Sequence, residues 1–203
     1  MDAVEYIKTN CVLHRSEGAE LYDYGGGVLT WALDIRKALL DPVFLTYVAE
    51  EFLSKLDGKP FQLAAVETSG IPLMTAIQMA ASARGMTING MIVRKKRKKH
   101  LQQAHIDGVS NGLPVIVLED SVNSGRSVMN CVTKLRDAGH TVKSLYCIVY
   151  FESEICVNRL EEAKLHMDHL LTLSDLGKTF EYGKVTKTKY DVVWTFGSPD
   201  PNL

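Results

Sequence analysis

The chain has 203 residues, of which 46% are hydrophobic and 23% charged, and its formal net charge is −1. This length predicts one globular α/β domain over residues 1–203, with a sizeable core and room for a small appendage. The near-neutral charge gives no overall attraction to nucleic acid, and the longest apolar run, residues 145–151, is too short to cross a bilayer. We therefore expect a soluble protein without a secretory or transmembrane segment.

Residues 1–42 are expected to form a small N-terminal element before a core that spans about 43–175. Within that element, residues 2–9 are predicted to be a short helix and residues 31–34 a short strand. A further helix is predicted from Pro42, because proline has no N–H to lose in a first helical turn. One face of that helix is apolar: Phe44, Tyr47, Val48, Phe52 and Leu56. The residues after about 175 form a C-terminal extension to which no role is assigned.

The first predicted β–α unit of the core contains a short loop with small residues. A strand over residues 61–66 is followed by a tight loop, Glu67 to Gly70, and by a helix that opens at Pro72. Gly70 supplies conformational freedom, and Pro72 suits the first turn of a helix. Glycine and proline punctuate most β–α turns, so an ordinary turn is the second interpretation.

The densest charge cluster of the chain follows a predicted strand at residues 88–93. Six adjacent cations, Arg94 to Lys99, precede His100. Six adjacent cations cannot be buried, so this segment is predicted to be an exposed loop that extends to about Gly112. A basic run of this size is often a nucleic-acid patch or a targeting signal. The segment lies between the loop at residues 67–70 and a second loop of small residues at 121–127, and this position favours a role in catalysis instead.

The second of those loops lies in the stretch VIVLEDSVNSGRSV, residues 115–128. Val115 to Leu118 form a β-branched apolar run, which predicts a strand buried on both faces of a parallel sheet. Glu119 and Asp120 follow at the carboxyl end of that strand, where open α/β sheets bind their ligands. A loop of small residues comes next, and from Arg126 the apolar positions recur at helical spacing.

This order of strand, acids, loop and helix suits a sugar phosphate. The first turn of a helix presents unpaired N–H groups to a phosphate, and Gly125 lets the backbone approach closely. The two carboxylates would repel a phosphate but can accept hydrogen bonds from sugar hydroxyls. The spacing is neither that of a Walker A loop nor GxGxxG. The alternative is an ordinary strand in which Asp120 or Ser124 merely caps the next helix.

Three more elements are predicted after this stretch: a strand over residues 142–151, a helix over 153–164 and a strand over 166–173. Together with the earlier units they predict an α/β fold with a parallel sheet of about five strands and helices on both faces.

The cysteine and histidine spacings do not predict a metal site. The four cysteines form no CxxC pair and are interpreted as reduced structural residues of a cytoplasmic protein: Cys11, Cys131, Cys147 and Cys156. Five histidines follow no metal-ligand spacing: His14, His105, His140, His166 and His169.

The stretch at 115–128 resembles the phosphoribosyl pyrophosphate (PRPP) signature of type I phosphoribosyltransferases. Orotate phosphoribosyltransferases are the most similar members, because residues 29–45 resemble their N-terminal hood and residues 66–73 their pyrophosphate loop. The resemblance implies that Glu119 and Asp120 orient the ribose hydroxyls. It also implies a set of residues that bind the phosphate groups of PRPP: Asn123, Ser124, Gly125, Arg126, Ser127, Thr68, Ser69 and Gly70.

In that family the basic segment reads RKxxKxH and closes over PRPP, commonly in the site of the neighbouring subunit of a homodimer. The resemblance implies that Lys98 is the main catalytic cation and that a second group of residues assists catalysis: Arg94, Lys95, His100 and Asp120. The implied reaction is displacement of pyrophosphate from C1 of PRPP by a ring nitrogen of a nucleobase. Magnesium is the implied cofactor, held mainly by PRPP oxygens and water.

The sequence departs from the family pattern mainly where the base binds. Ser69 replaces a lysine of the pyrophosphate loop, and Ala32 and Leu33 replace two aromatic residues of the hood. Phe151 and Glu152 replace an Asp–Arg pair, and a carboxylate there would repel the orotate anion. An orotate-like pyrimidine is the expected acceptor. Another nucleobase, or a non-catalytic PRPP-sensing regulator that binds nucleic acid, is the alternative.

Overall fold

A computed structural model describes the following parts of the chain: residues 1–15, 21–22, 28–96, 105–178, 186–188 and 191–193.

The N-terminal element contains short helices and strands. They are α1 (Ala3–Asn10), β1 (Val12–His14), β2 (Leu21–Tyr22), β3 (Val28–Leu29), β4 (Trp31–Leu33) and α2 (Arg36–Leu39). β1 pairs antiparallel with β4, and β2 pairs antiparallel with β3. The predicted helix over residues 2–9 and the predicted strand at 31–34 are confirmed within a residue.

The core alternates strands with helices. Its elements are α3 (Pro42–Ser54), β5 (Gln62–Val66), α4 (Gly70–Ala83), β6 (Gly90–Val93), β7 (Ile106–Gly108), β8 (Val115–Val122), α5 (Arg126–Asp137), β9 (Val142–Tyr150), α6 (Glu154–Glu162) and β10 (His166–Thr172). A separate antiparallel pair follows, β11 (Thr186–Thr188) and β12 (Asp191–Val193). α3 begins at Pro42 as predicted, with the Asp41 side chain accepting hydrogen bonds from the N–H groups of Val43 and Phe44.

Six strands form the central sheet, in the order β10-β9-β8-β5-β6-β7. Five of them are parallel, which confirms the predicted parallel sheet, and β7 adds an antiparallel edge strand. The chain passes from β5 to β6 on one side and then returns to place β8 on the other side of β5. The carboxyl ends of β5 and β8 therefore form a topological switch point, where open α/β sheets bind ligands.

Three predicted boundaries were wrong. β8 continues to Val122, so Glu119 and Asp120 lie within the strand, because backbone pairing with β9 extends to Val122 and Tyr150. The loop predicted to extend to about Gly112 contains β7, which pairs with β6 and places Ile106 against the core. α4 begins at Gly70 rather than at Pro72.

The core lies on both faces of the sheet. α1 to α4 cover one face, where Phe44, Leu73 and Tyr146 are among the buried side chains. α5 and α6 cover the other face, with Val132 and Leu160 buried against the strands. This arrangement confirms the predicted α/β class. Within the described residues, no helix is both long and apolar enough to span a membrane.

Candidate active site

A buried carboxylate joins two loops at the switch point. β5 and β8 are direct neighbours in the sheet, so the loop after β5 lies beside the end of β8. The Ser69 hydroxyl donates a 2.5 Å hydrogen bond to Oε1 of Glu119. The Ser127 hydroxyl donates a 3.2 Å hydrogen bond to Oε2 of the same carboxylate. Residues predicted from two separate motifs are thus brought into direct contact.

Glu119 and Asp120 differ in exposure but affect each other electrostatically. Glu119 is only 5% exposed, and burial, with the adjacent Asp120 charge as the second cause, raises its pKa. Asp120 is half-buried, its Oδ1 accepts a 2.7 Å hydrogen bond from the Ser121 N–H, and burial raises its pKa too. Glu119 thus already accepts hydrogen bonds from two hydroxyl groups, the type of donor that a sugar presents.

The turn after β8 has the shape of an anion cradle. Gly125 adopts the left-handed conformation with φ 73°, and it precedes α5 as the N-cap without a side-chain cap. The interpretation of Asp120 or Ser124 as a helix cap is therefore wrong. A cavity of about 160 Å³ lies over this turn, lined by Glu119 and residues 121–128. The N-terminus of a helix carries a partial positive charge and favours an anion.

The loop after β5 packs closely against β8. Ser69 precedes α4 as its N-cap but uses its hydroxyl on Glu119 rather than on the helix. A Cβ on Gly70 would lie 2.5 Å from the Leu118 carbonyl oxygen. Gly70 is needed because the backbones of α4 and β8 approach each other closely at this point. The sequence had predicted that it supplies conformational freedom, and its φ is not in the left-handed region. Thr68 is exposed on the same loop.

The beginning of the basic segment is held by acidic residues. Arg94 Nε donates to Asp107 at 2.5 Å, its Nη1 lies 3.6 Å from Glu67, and its side chain is 35% exposed. The Lys95 N–H donates to Glu67 Oε2 at 2.8 Å. The prediction that all six cations extend into an exposed loop is wrong for Arg94, because β7 provides Asp107 as its partner. Lys98 and His100 lie outside the described residues.

Lys134 of α5 makes a contact with the basic segment that the sequence did not predict. Its Nζ donates to the carbonyl oxygens of Arg94 at 2.7 Å and Lys95 at 3.1 Å. A cavity of about 470 Å³ lies between α5 and the ends of β5 and β6. Its polar lining consists of Arg94, Lys95, Ser124, Arg126, Ser127, Asn130 and Lys134. A lysine on a polar helix face gave no signal for this contact in the sequence.

The sequence predicted two further parts of the chain near the base, one around Glu152 and one at Ala32 and Leu33. Glu152 follows β9 with φ 52°, its side chain is exposed, and its Oε2 accepts a 3.3 Å hydrogen bond from Ser174. Ala32 and Leu33 are half-buried in β4.

No known family model matches the chain. Orotate phosphoribosyltransferase of Halobacterium salinarum is 33% identical over 152 residues, which are 74% of this chain and 83% of that protein. The chain belongs to the orotate phosphoribosyltransferase family. Orotate phosphoribosyltransferase of Mycobacterium tuberculosis in complex with Fe(III) dicitrate has the same fold, with a TM-score of 0.74, 23% identity and coverage of 87% and 98% of the two chains. The same Mycobacterium enzyme in complex with PRPP gives a TM-score of 0.63 at 20% identity, with coverage of 87% and 90%.

Membership of the orotate phosphoribosyltransferase family confirms the predicted type I phosphoribosyltransferase fold and the predicted pentosyltransferase class. Within the ranges that the structure describes, no group of three or more His, Cys, Asp or Glu side chains could hold a metal ion. The carboxylates of Glu119 and Asp120 are hard oxygen donors of the kind that magnesium prefers, and two of them fit a cation held mostly by its substrate.

Proposed function

We propose that this chain transfers the 5-phosphoribosyl group of PRPP to a ring nitrogen of an orotate-like pyrimidine and releases pyrophosphate. The observation that carries the proposal is the hydrogen-bonded group Ser69–Glu119–Ser127 at the switch point, because it joins an acidic pair, an anion cradle and a second loop at one ligand-sized site. The family to which the chain belongs supports the same reaction.

In this proposal the acidic pair near the carboxyl end of β8 binds one end of a sugar phosphate, and the turn after β8 binds the other end. Glu119 and Asp120 accept hydrogen bonds from the ribose hydroxyls, so Glu119 exchanges its serine partners for the ligand. The turn from Asn123 to Ser127 binds the 5′-phosphate through its N–H groups. Arg126 adds a positive charge to the lining of both cavities beside this turn.

The pyrophosphate end is assigned to the loop after β5 and to the basic segment. Negative charge grows on pyrophosphate as its bond to C1 breaks, so cations fixed at that end stabilise the transition state more than the ground state. Thr68, Ser69 and Gly70 provide the loop, and Lys95 lines the adjoining cavity. Lys98 is proposed as the main cation, assisted by Arg94 and His100. Magnesium, when bound to PRPP, supplies further positive charge at the leaving group.

The direct test is a pyrophosphate-release assay with PRPP, Mg²⁺ and single nucleobases: orotate, uracil, cytosine, adenine and guanine. We expect release with a pyrimidine and little with purines.

Asp120→Asn should lower turnover at least tenfold through lost ribose orientation. Lys98→Ala should abolish release but leave PRPP binding largely in place. Unchanged turnover in Lys98→Ala would contradict the assignment of the basic segment.

Glu152 favours a second candidate acceptor. Its exposed carboxylate at the end of β9 would repel orotate, whereas a neutral base with an amino or N–H group could donate to it. Uracil or cytosine would then exceed orotate in the same assay, and Glu152→Arg would reverse the order. PRPP binding without release on any base would instead favour a non-catalytic regulator.

We also propose a cytoplasmic homodimer in which each subunit donates its basic segment to the other subunit's site. Four free buried cysteines support a reducing compartment. Lys98→Ala and Asp120→Asn proteins should each be inactive, and a re-equilibrated mixture should recover roughly a quarter of wild-type activity. No recovery in a mixture shown to contain heterodimers would contradict a shared site.

A further inference from the structure

The turn that we assign to the 5′-phosphate rests on side chains of α6. Ser153 Oγ donates a 2.7 Å hydrogen bond to the carbonyl oxygen of Asn123. Arg159 Nη1 donates a 2.5 Å hydrogen bond to the carbonyl oxygen of Ser124. Ser153 is buried and also caps α6, whereas Arg159 lies half-buried in the helix, about 1.7 turns further along. Two successive carbonyl groups of the turn are therefore held from one side.

Fixing a carbonyl also fixes the N–H of the same peptide unit. In a trans peptide the C=O and the N–H lie in one plane and point in opposite directions. The carbonyl of Asn123 shares its peptide unit with the Ser124 N–H, and the carbonyl of Ser124 shares its unit with the Gly125 N–H. Because both carbonyls point to α6, both N–H groups point away from α6. Ser124 and Gly125 also line the cavity of about 160 Å³ at this turn.

Charge and packing strengthen this arrangement. A guanidinium donor makes a stronger hydrogen bond than a neutral donor, and it polarises the peptide so that its N–H becomes a better donor to an anion. α6 also leaves little space beneath the turn, since a Cβ on Gly125 would lie 3.0 Å from Cys156 Sγ. The turn is thus placed by α6 as well as by its own sequence.

We propose that Ser153 and Arg159 are positioning residues that direct the Ser124 and Gly125 N–H groups at the 5′-phosphate of PRPP. This inference rests on the proposed function. Neither residue touches the ligand in this account, and both act through the backbone of the turn. We expect Arg159 to have the larger effect on phosphate binding, because its hydrogen bond to the turn is charge-assisted and that of Ser153 is neutral.

The test is calorimetric titration of Arg159→Met, Arg159→Lys and Asn158→Ala with PRPP and with ribose 5-phosphate. Asn158 is exposed on the same helix, so Asn158→Ala is the matched control. We expect Arg159→Met to weaken both ligands about tenfold or more and equally, because they share the 5′-phosphate. Arg159→Lys should recover part of the loss, and Asn158→Ala should bind like wild type. In turnover, KM for PRPP should rise while kcat at saturation changes less.

The outcomes separate this inference from the proposed function. Wild-type protein that binds neither ligand would overturn the proposed function and this inference with it. Wild-type binding together with equal binding by Arg159→Met would overturn the inference alone. If Arg159→Met does not fold, Arg159→Lys decides the question. In that case, binding of both ligands by Arg159→Lys that is weaker than wild type but by less than about tenfold supports the inference. Affinity of Arg159→Lys equal to wild type for both ligands overturns it.

Discussion

Glu119 is a buried acidic residue whose two side-chain oxygens both have partners. They accept hydrogen bonds from Ser69 and Ser127, so a carboxyl group that is only 5% exposed is not left unpaired. Ribose hydroxyls are chemically equivalent to serine hydroxyls as donors. In the proposed reaction we therefore expect PRPP to replace the two serines without leaving the carboxyl group of Glu119 unpaired.

The raised pKa of Glu119 predicts a pH-dependent stability. A carboxyl whose pKa is higher in the folded state stabilises the fold while protonated, and this stabilisation is lost as pH rises above the ordinary carboxyl pKa toward the folded value. Glu119→Gln cannot ionise, so its stability relative to wild type should increase from pH 5 to pH 9. The change is about 1.4 kcal/mol for each unit by which the fold raises the pKa.

Thermal unfolding of both proteins across that pH range measures the effect. Glu161→Gln, at an exposed position of α6, is the control and should show no such trend. At pH 9, where Glu119 is ionised in wild type, the PRPP affinity of Glu119→Gln should be about tenfold lower than that of wild type, since a neutral amide is a weaker acceptor than a carboxylate. A stability difference that stays constant from pH 5 to pH 9 would refute the account of this carboxyl.

Gly70 makes a second prediction at this scale. Gly70→Ala places a Cβ 2.5 Å from the Leu118 carbonyl oxygen, and backbone on both sides leaves no flexible group to move. We expect a loss of about 3 kcal/mol in the free energy of unfolding, at the upper end of overpacking effects. Gly58→Ala, at φ 78° with nothing within 4 Å, is the control and should lose about 1 kcal/mol. Equal losses in urea denaturation would contradict a steric role for Gly70.

Single residues were predictable where chemistry alone selects them. The acidic pair, Gly125 and the small loop residues follow from what a sugar phosphate requires. The bond from Ser69 to Glu119 was not predictable, because 50 residues separate the partners and only the β5–β8 pairing brings them together. Arg159 was missed for the same reason: its partner, Ser124, lies 35 residues away.

At the scale of elements, the pairing of β6 with β7 holds the start of the basic segment in place. Its strands pair from Met91 to Val93, and Arg94 N–H donates to the His105 carbonyl at 2.8 Å. The sequence predicted β6 but not β7, since three residues ending in glycine are too short to show an alternating pattern. The charge run itself suggested only exposure.

Lys134 links this hairpin to α5 and gives a prediction for the element. Lys134→Met removes both hydrogen bonds to the carbonyls of Arg94 and Lys95, so the basic segment loses an anchor at its start. We expect turnover to fall about tenfold while the melting temperature changes by no more than about 4 °C. Lys143→Met, an exposed lysine of β9, is the control. Turnover of Lys134→Met equal to that of Lys143→Met would contradict this linkage.

At the scale of the whole molecule, a hydrophobic core on each face supports the central sheet. The sheet places the loop after β5 and the turn after β8 at the same edge. The α/β class and the number of parallel strands were predictable, because β-branched runs and helical periodicity are local signals. The strand order was not, since the return of the chain to the other side of β5 leaves no mark in the sequence. It is this return that makes the loop after β5 and the end of β8 neighbours.

The packing of both faces predicts the reactivity of the four cysteines. Cys11 is buried on one face and Cys131, Cys147 and Cys156 on the other, and burial raises the pKa of each thiol. The native protein should therefore react with no more than a trace of a thiol reagent at pH 8, and all four cysteines should react in guanidinium chloride. One fast-reacting thiol in the native protein would show that one face of the core is open.

The central claim is that the carboxylates of β8 and the turn after it bind the two ends of one ribose phosphate. A crystal structure of the wild-type protein with PRPP and Mg²⁺ tests it most directly. The account predicts ribose hydroxyls on Glu119 and Asp120, the 5′-phosphate on the N–H groups of residues 123–127, and Glu119 separated from Ser69 and Ser127. A bound PRPP elsewhere, with the Ser69–Glu119–Ser127 hydrogen bonds intact, would contradict it.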